Sequence, residues 1–270
     1  MARNKKNVND KFYTKHEVAD KLISLIDDIS DYDLVIEPSA GDGKFYDILL
    51  KKHNNVIGLD IEPENNNIIK QDWFDYKIDK KYKKILVIGN PPFGNQSSLA
   101  LKFIKKCDEL EIDTIAFVLS KSFKKETIKN RIPLKYHLKY EVDLDDNSFL
   151  LEGNEYKVPS IFQIWTRNNE DRIIEKKTHT NIYFNFIKKN ENPDMSFRRV
   201  GFYAGMIYDE IDKKSEESHY FIKSNIDLKE IKDLFNSIVW EHNNTAGPRS
   251  IGKIELVERF IEMYKKSHSL

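Results

Sequence analysis

Four consecutive residues, Asn90-Pro91-Pro92-Phe93, have the groups that chemistry on an amine needs. Adjacent prolines fix φ and remove two backbone donors, so the carbonyls there can point outward as acceptors. The Asn90 side-chain oxygen and the Pro91 carbonyl could accept both hydrogens of an exocyclic aryl amine and draw its nitrogen toward a nucleophilic geometry. Attack on an electrophilic methyl group then needs positioning more than a strong base. The alternative is a Pro-Pro turn with a buried phenylalanine.

A second group of residues is typical of a nucleotide-binding turn. Gly41 and Gly43 directly follow a short apolar run, and glycine lets the backbone approach a ligand closely because it has no Cβ. Asp60 follows Gly41 by about 20 residues, where an acid can accept hydrogen bonds from both ribose hydroxyls. The missing third glycine disfavours a dinucleotide, while Glu37 could attract a cation such as a sulfonium. The alternative is an ordinary turn and a solvated Asp60.

Alternating strand and helix signals must position these residues. Four short apolar runs end in polar residues, and apolar side chains at helical spacing follow them. This alternation predicts a mostly parallel sheet with an antiparallel hairpin at its edge. The four runs are 34–37, 56–59, 85–88 and 114–119, and the hairpin runs are 138–144 and 158–165.

Capping patterns and breakers add boundaries to this scheme. Thr14 with Glu17 three residues later predicts the start of a first helix, and Asp227 predicts another. A basic helix is predicted from about 122 to 132, where Pro133 stops it. The polar stretch near residue 170 divides the chain into a main domain, 1–170, and a small α+β extension, 171–270.

Four motifs of this sequence resemble, in the same order, the successive motifs of class I S-adenosylmethionine-dependent adenine amino-methyltransferases. The resemblance runs from about residue 11 to 166 and implies a Rossmann-like fold with a seven-stranded, mostly parallel sheet. Asn in the first position is similar to the adenine-type members, whereas the cytosine-type enzymes tend to have Ser there. The motifs are Glu37-Pro38-Ser39-Ala40-Gly41-Asp42-Gly43-Lys44-Phe45, Gly58-Leu59-Asp60, Gln71-Asp72-Trp73-Phe74 and Asn90-Pro91-Pro92-Phe93.

The resemblance also implies which residues bind S-adenosylmethionine. Phe12 and Thr14 would contact its methionine end, although Lys15 stands where the family usually has proline. Asp72 would hold the adenine amine, with Trp73 or Phe74 against the ring, unless these aromatics belong to the core. The implied cofactor residues are Phe12, Thr14, Glu37, Ser39, Gly41, Gly43, Asp60, Ile61, Asp72 and Trp73.

The substrate implied by the resemblance is adenine in a nucleic acid, with DNA somewhat favoured over RNA. Phe93 would stack on the extruded or unpaired base. A lysine-rich segment after the apolar run 114–119 could bind phosphate, or could be a solvated helix face. The lysines proposed for this contact are Lys121, Lys124, Lys125 and Lys129.

Two other interpretations of the motifs remain open. A protein glutamine methyltransferase has a similar motif, with Tyr in place of Phe93, and a methyltransferase-like subunit could bind nucleic acid without catalysis. The extension matches no recognition domain, and several of its residues could touch nucleic acid or be ordinary core and surface. They are Arg198, Arg199, Tyr203, Lys223 and the turn 243–249.

Composition limits the remaining possibilities. Lys and Arg total 44, as do Asp and Glu, so net charge gives no argument for a nucleic-acid partner. No apolar run approaches the roughly 20 residues of a membrane span, and residues 1–11 lack a signal-peptide core. A single cysteine, Cys107, and scattered histidines disfavour disulfides and metal sites. We therefore expect a cytoplasmic or other reducing compartment, no membrane and no metal.

Overall fold

The structure, a computed structural model, describes residues 12–79, 81–174, 178–240 and 249–268. The chain divides into two compact units, residues 1–174 and 175–270. In the described part of the chain, no helix is long and apolar enough to cross a membrane. Of the turn 243–249, all but Arg249 lies outside the described residues, as do residues 1–11.

The first unit alternates strands and helices. Its strands are β1 (Tyr13–Thr14), β2 (Leu34–Glu37), β3 (Val56–Asp60), β4 (Ile69–Lys70), β5 (Ile85–Gly89), β6 (Thr114–Ser120), β7 (Tyr136–Asp143), β8 (Phe149–Leu151), β9 (Asn154–Tyr156) and β10 (Ser160–Arg167). Its α-helices are α1 (His16–Ile23), α2 (Lys44–Lys52), α3 (Ser98–Glu109) and α4 (Glu126–Lys129). Short 3-10 turns cover Ile29–Asp31, Trp73–Asp75, Asn95–Ser97 and Lys121–Lys124.

Seven strands form one sheet in the order β4-β3-β2-β5-β6-β10-β7. The first five are parallel, and β10 is antiparallel to both β6 and β7. Neighbouring side chains of the central strands point to opposite faces: Leu34 and Ile36 pack with α3, while Val35 packs with α1 and α2. Burial on both faces explains the continuous apolar runs. The predicted parallel sheet and antiparallel edge are confirmed.

Two local predictions in the first unit are wrong. The basic helix predicted over 122–132 is a 3-10 turn followed by the single turn α4, because the chain is extended at Lys125 and the Phe123 ring is fully buried. Thr14 does not cap α1, since it pairs with Phe149 in β1 and Lys15 occupies the capping position. Sequence reasoning also missed the small sheet β1-β8-β9.

The second unit is an α+β fold with its own core. A four-stranded antiparallel sheet has the order β11-β14-β12-β13, and aromatic rings such as Phe197, Phe235 and Phe260 pack between it and two helices. Asp227 accepts hydrogen bonds from two backbone N–H groups at the start of the first of these helices, as its capping pattern predicts. The elements are β11 (Phe184–Ile187), β12 (Met195–Arg198), β13 (Ile207–Tyr208), β14 (His219–Ser224), α5 (Leu228–Ser237) and α6 (Lys253–Ser267).

Candidate active site

Three neighbouring parallel strands bring polar residues to one edge of the main sheet. β2 lies between β3 and β5, so the carboxyl ends of the three strands are adjacent. Glu37 ends β2, Asp60 ends β3 and Asn90 directly follows β5. Ligands of open α/β sheets bind outside these ends, where the strand order reverses. The topology therefore assembles a site from residues that are far apart in the sequence.

A cavity of about 510 Å³ opens at this edge. Asn90 and Pro92 line it, whereas Pro91, Phe93 and Gly43 do not. The other predicted cofactor residues all belong to its lining: Phe12, Thr14, Glu37, Ser39, Gly41, Asp60, Ile61, Asp72 and Trp73.

Asp60 holds the loop between β2 and α2 in place. Its Oδ2 accepts a hydrogen bond from the Gly41 N–H and its Oδ1 accepts one from the Glu62 N–H, each at 2.8 Å. Gly41 has φ +51°, and a Cβ there would meet the Tyr13 ring at 3.0 Å. Because carboxylate oxygens have further lone pairs, Asp60 can brace this loop and also accept hydrogen bonds from ligand hydroxyls.

Glu37 is a buried carboxyl on the wall of the cavity. It is 2% exposed, and its Oε2 has no hydrogen-bond partner among the described residues. Burial raises the pKa of the Glu37 carboxyl well above its ordinary value, and the nearby Asp42 and Asp60 carboxylates raise it further. Gly89, at φ +152°, leaves space for this side chain, since a Cβ there would meet Glu37 Cγ at 3.1 Å. A cationic ligand would favour the ionised form.

Thr14 supplies a second buried polar atom without a partner. The residue is 4% exposed, and no described group bonds to its Oγ1. It is held in β1 by pairing with Phe149, and the preceding Phe12 ring stacks on Tyr156 at 5.1 Å. Buried polar groups are nearly always hydrogen-bonded. The two orphaned oxygens, on Thr14 and Glu37, therefore indicate that the cavity takes a polar ligand.

The Asn90 side chain is oriented by its neighbours. Its Nδ2 donates to the Phe12 carbonyl at 3.1 Å, and the Ser39 hydroxyl donates to the Asn90 carbonyl at 3.2 Å. No described residue donates to Asn90 Oδ1. Since the amide nitrogen is engaged and the oxygen can only accept, Oδ1 is available to a ligand that donates hydrogen.

Phe93 lies outside the cavity lining, at the border of the core. It is half-buried and packs against the core cluster that also contacts Phe12. Its carbonyl accepts hydrogen bonds from the Leu99 and Ala100 N–H groups at 3.2 and 3.3 Å, which holds the start of α3. Stacking of Phe93 on a base stays a prediction.

The two aromatic rings of the Asp72-Trp73-Phe74 segment differ in burial: Trp73 is buried in the core, and Phe74 is half-buried at the cavity. Trp73 is 1% exposed, and its Nε1 donates to the Phe103 carbonyl at 3.5 Å. Asp72 Oδ1 accepts from the Phe74 N–H at 2.9 Å and so caps the turn. The half-buried Phe74 ring lines the cavity and packs edge-on against Phe103. Phe74 therefore has the ring that is more accessible to a ligand.

Three of the four lysines predicted to bind phosphate are paired with carboxylates within the protein. Asp143 of β7 lies 3.8 Å from Lys121 Nζ and 2.6 Å from Lys124 Nζ. Glu141 lies 3.0 Å from Lys129 Nζ. Phosphate binding by this segment stays a prediction, and any such contact would compete with these carboxylates. The four lysines, none in the cavity lining, are Lys121, Lys124, Lys125 and Lys129.

Tyr13 and Lys44 are among the residues of the cavity lining that sequence reasoning did not assign to the cofactor. Burial and a hydrogen bond from its hydroxyl to Glu64 raise the pKa of Tyr13 above its ordinary value. Lys44 Nζ lies 2.5 Å from Asp42 Oδ2 and 5.4 Å from the centre of the Tyr13 ring. The place of Tyr13 between two motif residues was the available signal. Lys44, a lysine in the first turn of α2, gives no comparable signal in the sequence.

The strand order defines a Rossmann-like, mostly parallel α/β fold, and the cavity lies at the carboxyl ends of its central strands. Within the described ranges, no cluster of three or more His, Cys, Asp or Glu side chains could hold a metal ion. The cavity itself presents carboxylates, backbone groups and aromatic rings.

Comparisons with known proteins add a sequence relative. No protein-family model matches the chain. The chain is similar to an rRNA adenine N-6-methyltransferase of Limosilactobacillus reuteri, with 26% identity over 260 residues, 87% of this chain and 97% of that protein. Because the first unit ends at residue 174 of 270, this alignment extends into the second unit.

Solved structures share part of the fold. A protein described as an RNA methyltransferase from Pyrococcus horikoshii matches with a TM-score of 0.46 and 17% identity, over 61% of this chain and 90% of that one. A dimethyladenosine transferase from Plasmodium falciparum matches with a TM-score of 0.39 and 17% identity, over 57% of this chain and 62% of that one.

Proposed function

We propose that this chain transfers a methyl group from S-adenosylmethionine to the exocyclic 6-amine of adenine in RNA. The observation that carries the proposal is one cavity lined by Asn90, whose Oδ1 can accept hydrogen bonds, and by the orphaned oxygens of Thr14 and Glu37. Sequence motifs alone somewhat favoured DNA. The rRNA named for the relative favours RNA.

The lining fits the proposed cofactor by charge and by shape. Glu37 suits the cationic methionine end, and Asp60 with the Gly41 turn suits the ribose hydroxyls. Phe74 offers a ring to the adenine, and Asp72 offers a carboxylate to its amine. S-adenosylmethionine, when bound, supplies an electrophilic methyl group on a sulfonium.

Asn90 activates the amine by accepting its hydrogens. Its Oδ1 and the Pro91 carbonyl each accept a hydrogen bond from one amine hydrogen. The nitrogen lone pair, which is otherwise delocalised into the adenine ring, then becomes localised on the nitrogen. The Phe12 carbonyl and the Ser39 hydroxyl keep Asn90 in this orientation. S-adenosylmethionine, held by the residues named above, would supply the methyl group, and the amine nitrogen that accepts it would release one proton to solvent. Fixed dipoles at the site stabilise the developing charge without reorganising.

Mass spectrometry of nucleosides tests the proposal. Ribosomal RNA and genomic DNA are incubated separately with the protein and methyl-labelled S-adenosylmethionine, and we expect labelled N6-methyladenosine from the RNA. Asn90→Ala protein prepared identically is the control for contaminating activity. Label in DNA alone would reassign the nucleic acid, and label in protein glutamine alone would overturn the proposal.

A further inference from the structure

Two large aromatic side chains of the second unit are exposed side by side. Phe202 is 75% exposed and Tyr203 is 59% exposed, in the loop between β12 and β13. Their ring centroids lie 5.2 Å apart with the planes at 89°. Each ring therefore presents a face of its own. Adjacent exposed apolar side chains can form part of an interaction site.

The loop that presents these rings is held by hydrogen bonds across its base. The Arg198 N–H donates to the Met206 carbonyl and the Gly205 N–H donates to the Arg198 carbonyl, both at 2.8 Å. The Gly201 N–H donates to the Arg249 carbonyl at 2.9 Å. The rings are therefore exposed by a loop whose backbone is held by hydrogen bonds, and not by a frayed segment.

One cation lies over Phe202, and two others lie over Tyr220 of the neighbouring strand β14. The Arg249 guanidinium lies 5.3 Å from the Phe202 ring centroid, and the Arg199 guanidinium lies 5.4 Å from that of Tyr220. Lys253 Nζ lies 5.6 Å from the same Tyr220 ring. The segment with Arg199 and the segment with Arg249 are joined by backbone hydrogen bonds on either side of a β-bridge. We call the set Arg199, Phe202, Tyr203, Tyr220, Arg249 and Lys253 the aromatic-basic surface.

The cations of this surface lack acidic partners within the described ranges. Arg199, Arg249 and Lys253 form no salt bridge with a carboxylate among the residues that the structure describes. The sequence from 195 to 208 contains two arginines and no Asp or Glu. By contrast Lys223, also a candidate from the sequence, is paired with Asp194 at 2.6 Å. The three cations are therefore available to an external anion.

We propose that the aromatic-basic surface binds a single-stranded segment of nucleic acid, which is RNA if the proposed function holds. Unpaired bases would stack on Phe202 and Tyr203, and their phosphates would contact Arg249, Arg199 and Lys253. Stacking on aromatic faces together with backbone cations is how proteins hold single strands without reading sequence. A duplex keeps its bases stacked on each other, so it cannot use the rings.

Fluorescence anisotropy of the full chain with labelled oligouridine tests this surface. Oligouridine contains no adenine, so the proposed catalytic site does not determine the result. The double variant Phe202→Ala, Tyr203→Ala should bind at least about 10-fold more weakly, because each stacked base contributes measurably to affinity. Replacing both rings by Trp should restore binding, and Ile182→Ala, which changes another exposed apolar side chain of the same unit, should leave it intact.

Salt dependence tests the cations separately. Arg249→Ala should reduce the slope of log affinity against log salt by about 0.7, the value for one phosphate contact on a single strand. Arg259→Ala, whose guanidinium pairs with Glu262 at 3.6 Å, is the matched control and should not change the slope. Equal binding of single-stranded DNA would support the surface, because stacking does not require the 2′-hydroxyl.

Two outcomes would overturn the inference: unchanged oligouridine binding by the double variant, or equal affinity of the wild type for duplex and single strand. Recognition of a protein alone, without oligouridine binding, would do the same. These failures are distinct from failure of the proposed function. A chain that binds oligouridine through Phe202 and Tyr203 but methylates no adenine would overturn the function and leave the surface intact.

Discussion

The cavity and the lysine-rich segment both follow parallel strands of the first unit, yet they differ in whether their polar groups have partners. In the cavity, Glu37 Oε2 and Thr14 Oγ1 are buried without a partner among the described residues. In the segment, Lys124 Nζ lies 2.6 Å from Asp143 Oδ1. An unsatisfied buried group costs free energy that a ligand can recover, whereas a paired charge has less to gain. Missing partners therefore indicate a binding site better than the number of charges does.

The second unit adds a third arrangement to this comparison. The Arg199 guanidinium donates to the Glu217 backbone carbonyl at 2.7 Å and lies against the Tyr220 ring. These partners orient the cation without cancelling its charge, since a carbonyl and a ring carry no net charge. By this criterion the aromatic-basic surface of the second unit is the better candidate for anion binding, although the lysine-rich segment has more basic residues.

The largest expected effect lies in the cavity. Asn90→Ala removes an acceptor whose role is confined to the reacting amine, and loss of one such transition-state hydrogen bond costs about 3 kcal/mol, or about 100-fold in rate. Cofactor affinity measured by calorimetry should survive. Single-turnover methyl transfer measures the rate, and Asn95→Ala, an exposed asparagine outside the cavity lining, is the matched control. A wild-type rate in Asn90→Ala would remove the tetrapeptide from the active site.

An intermediate effect is expected at Glu37. Glu37→Gln keeps the size of the side chain but removes the charge that faces a cationic ligand. Interactions of this kind contribute about 1.5 to 3 kcal/mol, so cofactor affinity should fall at least about 10-fold. Calorimetry measures the affinity, and Glu17→Gln, an exposed change on α1, should have no effect. Unchanged affinity in Glu37→Gln would separate the orphaned oxygen from ligand binding.

The pH dependence of Glu37 sharpens the same test. Since burial raises its pKa in the folded protein, the unfolded chain loses this proton first as pH rises. The Glu37 carboxyl therefore stabilises the folded protein most at pH values below its unfolded pKa. This stabilisation decreases as pH rises and is lost once pH passes the folded pKa. Glu37→Gln should remove this decline and raise the melting temperature at neutral pH. Affinity of the wild type for a cationic cofactor should rise as pH approaches the folded pKa of Glu37, because more of the free folded protein then has an ionised carboxyl.

Sequence alone predicts the cavity well because local patterns determine its parts. Glu37, Asp60 and Asn90 each end or follow a short apolar run, and parallel strands bring such ends together. The small sheet could not be predicted in this way. Its strand β1 has only two residues, too few for a periodic pattern, and Tyr13 pairs with Leu150 from a remote part of the chain.

The ion pairs of the lysine-rich segment were hidden from the sequence for a related reason. Asp143 and Glu141 face these lysines only because β7 pairs with β10, and β10 in turn pairs with β6. Counting charges along the chain therefore overstated how much positive charge the segment presents. Tertiary pairing, which no local pattern encodes, determines whether a basic cluster is open to a ligand.

The smallest expected effect comes from releasing the lysines. Asp143→Asn removes the carboxylate that pairs with Lys121 and Lys124, so both ammonium groups become available to phosphate. An exposed ion pair contributes at most about 1 kcal/mol, so affinity for RNA should rise by a factor of about 3 if this segment contacts it. Asp146→Asn is the control, because it releases the more exposed Lys157 and changes net charge equally. Equal gains in both variants would mean that only the overall charge matters, and that the lysine-rich segment is a solvated face.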